Sequence, residues 1–139
     1  MKVLIVADDD GVRRSLACLV RFHGWKAHTC DHRADFTAKI PSMGINALLI
    51  DQSMRPFRGL EVLKSIRAAG LDVPAVLMTP DADILDRNIL ARLDVFRIIG
   101  KPPNMKELKA ALTGALKTSL TRTASRGKAD AQGFAVPGE

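Results

Sequence analysis

The stretch KVLIVADDDGVRR, residues 2–14, places an apolar run directly before three consecutive carboxylates and the start of a helical pattern. The run has the length of a buried strand, and the residues after it repeat apolar side chains at helical spacing. Three adjacent like charges raise the free energy of the folded chain unless a cation, a helix N-terminus or a basic side chain compensates them. A helix cap at Asp9 or Asp10 explains one or two of these acids. The third indicates a positive partner at the end of the strand.

The strand and helix pattern repeats along the chain. Strand-sized runs at 2–7, 25–30, 46–51, 74–79 and 94–99 alternate with helical patterns at 11–23, 32–40, 58–69, 82–92 and 104–118. Nearly continuous apolar runs are typical of parallel strands that helices cover on both faces. The order therefore predicts an α/β fold, an open and doubly wound sheet of five parallel strands.

Length and composition indicate one domain with an apolar core. The chain has 139 residues, of which 47% are hydrophobic and 26% are charged. The pattern predicts a folded domain over residues 1–118. Residues 119–139 lose periodicity and are rich in Ser, Thr, Ala and Gly, which predicts a flexible tail. About twenty residues are too few for an effector domain, so we expect a stand-alone domain.

Charge, hydropathy and cysteine content argue against a nucleic-acid-binding, membrane or metal-thiolate protein. The net charge of +6 comes from scattered basic residues without helix-turn-helix or zinc-finger spacing, so nucleic acid is not an expected partner. No apolar run is long enough to span a membrane, and the N-terminus lacks the pattern of a signal peptide. These features predict a cytoplasmic protein. Cys18 and Cys30 lie in no metal-binding pattern, and we expect both to be reduced structural thiols.

Five polar residues follow the predicted strands. Asp8 and Asp9 follow the first, Asp51 ends the third, Thr79 ends the fourth, and Lys101 follows the fifth. Each has a simple structural explanation as a cap or a surface residue. The carboxyl ends of parallel strands meet at one edge of the sheet, however, and ligands of open α/β sheets bind there.

The residue types in this group suit phosphoryl transfer. Carboxylates without His or Cys favour Mg²⁺, which binds one or two carboxylates together with phosphate oxygens. The metal screens the repulsion between a carboxylate nucleophile and the incoming phosphoryl group, while a lysine and a hydroxyl bind the phosphoryl oxygens. In this arrangement Asp51 attacks, and Thr79 and Lys101 stabilise the transition state.

At these residues the chain resembles the receiver domain of two-component response regulators. The resemblance covers about residues 1–118 and rests on the acidic cluster, DQSMRPFRGLEVL around Asp51, LMT ending at Thr79, and GKP around Lys101. It implies a (βα)5 flavodoxin-like fold and a phosphoacceptor signalling domain rather than an enzyme. It also implies Mg²⁺ as cofactor, a histidine kinase or phosphotransfer protein as donor, and output by contact with an unidentified protein. It leaves a homodimer open.

The resemblance also assigns a role to each matching residue. Asp51 matches the phosphoacceptor, and Asp8 matches the acid that binds the metal directly. Thr79 matches the switch hydroxyl, and Lys101 matches the phosphate-binding lysine. Ser53 matches the position whose main-chain carbonyl completes the metal site.

The chain departs from the family pattern near the acidic cluster and after Asp51. Ala7 stands where the family usually has the first acid of its pair, and Asp9 is an extra acid that we include as a candidate metal ligand. Arg55 stands where the family commonly has proline, and Pro56 follows one residue later. An altered path of the loop after Asp51 is therefore expected.

Two further departures concern switching. Pro80 follows Thr79 and has no N–H group to offer a phosphoryl oxygen. Ile98 replaces the aromatic residue whose inward movement accompanies activation in the family. Strand alternation predicts that Phe96 lies on the same side of the sheet as Ile98. We therefore expect a conformational response that differs from the family pattern.

Three functions are compatible with this sequence. The first is a stand-alone phosphoacceptor receiver. The second is a receiver-like binding module that is poorly phosphorylated or not phosphorylated and acts through a helix face, as Ala7, Pro80 and Ile98 suggest. The third is an Asp-dependent phosphohydrolase, although Ser53 stands two residues after Asp51 where a second acid would serve as general acid.

Overall fold

A computed structural model of the protein describes the backbone of residues 1–131 and the side chains of residues 1–122. Five strands alternate with five α-helices, and a short 3-10 turn at Ala82–Ile84 precedes the fourth helix. The elements are β1 (Lys2–Val6), α1 (Asp10–Phe22), β2 (Lys26–Cys30), α2 (Phe36–Met43), β3 (Ala47–Asp51), α3 (Gly59–Ala68), β4 (Ala75–Met78), α4 (Arg87–Arg92), β5 (Val95–Ile99) and α5 (Met105–Ala131).

The five strands form one parallel sheet in the order β2-β1-β3-β4-β5. This order confirms the predicted doubly wound α/β fold. The central strands are buried on both faces, as their continuous apolar sequences require. One apolar cluster fills the face covered by α1 and α5, and a second fills the face covered by α2, α3 and α4. The sheet thus directs the carboxyl ends of all strands to one edge.

Two helices begin later than the sequence pattern predicted. The predicted helix 32–40 begins at Phe36, because Asp35 accepts a hydrogen bond from Ala38 N–H and caps it there. The predicted helix 82–92 is divided. Asp86 accepts hydrogen bonds from the backbone N–H groups at the start of α4, so it caps a new helix after the 3-10 turn. The late start of α2 leaves a loop at 31–35 beside the carboxyl edge of the sheet.

The last helix is longer than predicted. The pattern placed its end at Thr118, but α5 continues to Ala131. The sequence contains no proline between residues 104 and 131 to stop it. Arg122 also anchors the extension, because its Nη2 lies 2.9 Å from a carboxylate oxygen of Asp94. The remainder of the predicted tail, residues 132–139, lies outside the described residues.

An irregularity in β5 reverses one prediction. The register between β4 and β5 shifts, so that Ala75 pairs with Val95 and Val76 pairs with Arg97. Because the bulge adds one residue, simple alternation fails here. Phe96 packs on the face of α1 and α5, whereas Ile98 packs on the opposite face. The prediction that Phe96 and Ile98 share one side of the sheet is therefore wrong.

The two cysteines are free thiols in different environments, since Cys18 is exposed and Cys30 is buried. Burial raises the pKa of the Cys30 thiol to about 11. Among the helices of residues 1–131, none combines the length and the apolar character that a membrane crossing requires.

Candidate functional site

The centre of the candidate site is the Asp51 carboxylate at the end of β3. Its side chain is 5% exposed, and Lys101 Nζ lies 2.9 Å from its Oδ2. The backbone N–H of Ser53 donates to its Oδ1 over 2.9 Å. The fold therefore brings together Asp51, Lys101 and the Ser53 backbone, three of the positions that the sequence suggested. A carboxylate with a lysine beside it can act as a nucleophile toward an electrophile that carries negative charge.

Asp8 lies at the same edge, on the neighbouring strand end. Val6 of β1 pairs with Ile50 of β3, so Asp8 follows just beyond the level of Asp51. One oxygen of Asp8 lies 2.7 Å from His32 Nδ1, and the other accepts the backbone N–H of Arg55 over 3.0 Å. Burial by itself would raise the pKa of Asp8, but the hydrogen bonds with His32 and Arg55 outweigh it and hold the pKa below its ordinary value.

Asp9 and Asp10 point to different partners. Asp9 caps α1, because its Oδ1 accepts the N–H of Val12 over 2.9 Å. Asp10 forms an ion pair with Arg13. The same guanidinium donates to the carbonyl oxygens of Ala7 and Asp8 over 2.6 and 2.8 Å. Each of the three consecutive acids thus has its own partner. Asp8 faces His32, Asp9 caps the N-terminus of α1, and Asp10 pairs with Arg13.

Thr79 is buried beside β5, and its N–H donates to the Ile99 carbonyl over 3.0 Å. Its hydroxyl oxygen accepts the N–H of Asp81 over 3.3 Å. The hydroxyl therefore stabilises the turn after β4 in this structure. Pro80, between the two residues, contributes no N–H.

The loop after Asp51 depends on two residues, Gln52 and Gly59, to which the sequence analysis assigned no structural contact. Gln52 is buried, and its Oε1 accepts the N–H of Leu60 over 2.8 Å at the start of α3. Gln52 thereby takes the place of a helix cap for α3, because the side chain of Arg58, at the N-cap position, accepts no hydrogen bond from the helix. Gly59 packs so closely that a Cβ there would lie 2.8 Å from the Asp51 carbonyl oxygen. Both residues therefore fix the backbone that carries Asp51.

The sequence analysis did not include His32 among the candidate site residues, although its position in the sequence indicates the site. The candidate residues follow β1, β3, β4 and β5. His32 lies two residues after Cys30, the last residue of β2, and therefore reaches the same edge of the sheet. The backbone donor at Arg55 has no such signal, because it depends on the path of the loop.

The donor atoms at this edge fit a hard divalent cation. Asp8, Asp51 and the Ser53 carbonyl would supply only oxygen, and Mg²⁺ needs one or two carboxylates with water completing its shell. Each oxygen of Asp8 already accepts a hydrogen bond, from His32 or from the backbone N–H of Arg55, so a metal would compete with these donors for its lone pairs. Among the described residues, no group of three or more His, Cys, Asp and Glu side chains forms a metal centre. A bound cation would consequently need main-chain and water oxygens in addition to the carboxylates. Asp9, the extra candidate ligand, already accepts the N–H of Val12 as the cap of α1.

The fold and this edge define a class, the (βα)5 flavodoxin-like proteins with an acid and lysine pair at the carboxyl end of a parallel sheet. Comparison with known proteins specifies it further. The family model of the response regulator receiver domain matches residues 3–113. The chain belongs to this family, and it is a response regulator receiver domain of two-component systems.

Individual relatives agree with this assignment. Response regulator MprA of Mycobacterium avium is 30% identical over 119 residues, which cover 84% of this chain and 51% of that protein. Transcriptional regulatory protein TrcR of Mycobacterium tuberculosis is 24% identical over 119 residues, which cover 86% of this chain and 46% of that protein. The chain therefore spans about half the length of these relatives.

A solved structure supports the fold. The chemotaxis protein CheY4 of Vibrio cholerae superposes with a TM-score of 0.72 at 22% identity, covering 83% of this chain and 98% of that chain. The flavodoxin-like receiver fold that the sequence predicted is thereby confirmed.

Proposed function

We propose that this chain accepts a phosphoryl group on Asp51 from a histidine kinase or a phosphotransfer protein, with Mg²⁺ bound beside the acceptor. The observation that carries the proposal is the buried Asp51 carboxylate with Lys101 Nζ at 2.9 Å. The receiver family is generally a phosphoacceptor family and generally depends on Mg²⁺. Output by contact with another protein and a cytoplasmic location are parts of the same proposal.

The proposed reaction uses the groups at the sheet edge. An oxygen of Asp51 attacks the phosphorus of a phosphohistidine, and the P–N bond breaks as the P–O bond of an acyl phosphate forms. The imidazole of the donor leaves with the electron pair and takes up a proton. Lys101 neutralises charge on the transferring group, and the Thr79 hydroxyl turns from Asp81 to a phosphoryl oxygen. When bound, Mg²⁺ screens the repulsion between Asp51 and the phosphoryl oxygens.

A direct labelling experiment tests this function. The chain is incubated with a small-molecule phosphodonor and Mg²⁺, and intact mass is measured. We expect the addition of one phosphate, its loss in Asp51→Asn, and unchanged labelling in Asp81→Asn, an acid after β4 at the same edge. Labelling that persists in Asp51→Asn would refute the assignment of the acceptor.

A receiver-like binding module is the second candidate, because the hydrogen bonds of Asp8 and the missing N–H at Pro80 both act against phosphorylation. A titration with Mg²⁺ and fluoroberyllate, a phosphoryl mimic, separates the two functions. Amide shifts around Asp51 and Thr79 in NMR spectra support the phosphoacceptor. Their absence at saturating concentrations, together with the absence of labelling, supports the binding module.

A further inference from the structure

We propose that His32 and the backbone N–H of Arg55 hold Asp8 in a closed arrangement that a divalent cation must open. We call these two donors the Asp8 clamp. The clamp makes His32 and Arg55 positioning residues that set the Mg²⁺ affinity of the site. This inference rests on the proposed function, because it assumes that Mg²⁺ binds at Asp8 and Asp51.

The clamp joins two loops through one carboxylate. His32 belongs to the loop after β2, and its Nδ1 lies 2.7 Å from Oδ1 of Asp8. Arg55 belongs to the loop after β3, and its N–H lies 3.0 Å from Oδ2. The side chains of His32 and Asp8 are 17% and 30% exposed. Both oxygens of the expected metal ligand are therefore occupied by donors that a cation would have to displace or share.

The Arg55 donor arises from a departure in this chain. The family commonly has proline at this position, and a proline nitrogen carries no hydrogen. Here Arg55 comes first and Pro56 follows, so the loop gains an N–H group at the place that faces Asp8. The sequence departure beside the acceptor thus has a defined physical result, a second hydrogen bond on the ligand.

His32 has room to leave Asp8. Its ring borders a cavity of about 520 Å³ between α2 and α3, which Phe57 also lines. The ring centroids of His32 and Phe57 are 6.0 Å apart, and the Phe57 side chain is half exposed. Rotation of the imidazole into this cavity removes the 2.7 Å hydrogen bond from Oδ1 and leaves only the backbone N–H of His32, 3.5 Å away, as a donor to that oxygen.

The clamp acts on Asp8 and not on the acceptor. Asp51 takes its hydrogen bonds from Lys101 and Ser53, and neither donor contacts Asp8. Removing the imidazole therefore alters metal binding while the acceptor keeps its partners. Since a net hydrogen bond contributes about 1 kcal/mol, loss of one competing donor is expected to tighten Mg²⁺ binding about fivefold.

The test is a Mg²⁺ titration of the full chain at fixed pH and salt, followed by NMR shifts around Asp51. His32→Phe keeps a flat ring beside Phe57 and removes the donor, and we expect about fivefold tighter binding. Arg33→Gln is the matched control, because it removes a neighbouring charge that pairs with Asp31 and leaves the clamp intact. Equal tightening in both variants would show that only local charge matters, and would overturn the clamp.

Position 55 provides an independent pair of variants. Arg55→Pro and Arg55→Ala both remove the guanidinium, but only the alanine keeps the backbone N–H. We expect tighter Mg²⁺ binding in the proline variant than in the alanine variant. Equal Mg²⁺ affinity in the proline and alanine variants would refute the role of the Arg55 N–H, and His32→Phe that binds Mg²⁺ no more tightly than the parent would refute the clamp.

The outcomes separate the clamp from the proposed function. Labelling of Asp51 with unchanged affinity in His32→Phe refutes the clamp alone. Mg²⁺ binding that survives in both Asp8→Asn and Asp51→Asn refutes the metal site and the clamp with it. Binding that is undetectable in the parent and measurable in His32→Phe supports the clamp.

Discussion

Three carboxylates in a row need not act together. Asp9 fixes the start of α1 through Val12, and Asp10 pairs with Arg13, so both stabilise the loop after β1. Only Asp8 faces the acceptor loop, through Arg55. The acidic cluster thus contains one candidate metal ligand, Asp8, followed by two acids that stabilise the loop and the start of α1.

Asp8 is expected to carry the Mg²⁺ affinity. Asp8→Asn removes the charge that faces the acceptor loop and should weaken Mg²⁺ binding at least about tenfold. Asp9→Asn should change it less than about twofold, since asparagine also caps helices well. Isothermal titration calorimetry measures both. A larger effect at Asp9 than at Asp8 would mean that the alignment of the cluster is wrong by one residue.

Gly59 should be intolerant of a side chain. In Gly59→Ala the new Cβ would meet the Asp51 carbonyl at 2.8 Å and Gln52 Cα at 2.9 Å, so backbone must move. We expect a loss of about 1–3 kcal/mol in the free energy of unfolding, measured with urea, and slower labelling of Asp51.

Gly100→Ala is the control for Gly59→Ala, because the nearest atom to its Cβ lies 4.0 Å away. Its stability should change by less than about 0.5 kcal/mol. Equal effects of the two substitutions would contradict the role of close packing at Gly59.

At the scale of elements, the segment between β4 and the end of β5 differs most from a regular βα unit. A 3-10 turn and a six-residue helix replace one longer helix. The bulge in β5 then places Ile98 in the cluster that contains Leu85 and Leu90. A side chain at position 98 therefore packs against the same apolar cluster as residues of the elements that follow Thr79.

Restoring the family residues should strengthen the response of this segment. Pro80→Ala returns a backbone N–H directly after Thr79, and Ile98→Tyr places an aromatic ring against the apolar cluster that α4 covers. A ligand shifts an equilibrium only through contacts that differ between two states. We expect a longer acyl-phosphate lifetime or larger phosphate-dependent NMR shifts over residues 82–99 in the double variant. Unchanged lifetime and shifts would mean that the departures are tolerated.

At the scale of the whole molecule, Arg67 joins several segments at the edge of the sheet opposite the candidate site. Arg67 at the end of α3 donates to the carbonyl oxygens of Leu93, Leu71 and Val73 over 2.8, 3.0 and 2.7 Å. Burial lowers the pKa of its guanidinium below the ordinary value. This side chain joins the end of α3 to the start of β4 and to the turn before β5.

Arg67→Met should therefore destabilise the whole domain. The methionine fills the apolar part of the space but leaves four carbonyl groups, those of Leu93, Leu71, Val73 and Asp94, without this donor, which is expected to cost about 2–4 kcal/mol. Urea unfolding measures the loss. Arg92→Met, at an exposed position of α4, should change stability by less than about 0.5 kcal/mol. A similar small change in Arg67→Met would show that water replaces the arginine.

The sequence predicted the sheet, its five units and the acceptor pair, because apolar periodicity and strand-end position are local properties. It did not predict the start of α2 at Phe36 or the side on which Phe96 packs. The first depends on a cap at Asp35, and the second depends on a bulge that adds one residue to the register. The Arg55 backbone donor of Asp8 was equally inaccessible, since it depends on the path of a loop, whereas the position of His32 just after β2 was a signal in the sequence.

Phe96 of β5 and Gly114 of α5 approach each other closely, because a Cβ at Gly114 would lie 2.8 Å from the Phe96 ring. Beyond Gly114, α5 continues to Ala131, and Arg122 ties this part of the helix to Asp94 directly before β5. The strand is therefore joined to the last helix at two points, one by close packing and one by an ion pair. A change in the position of β5 would reach the C-terminal half of α5 through both contacts.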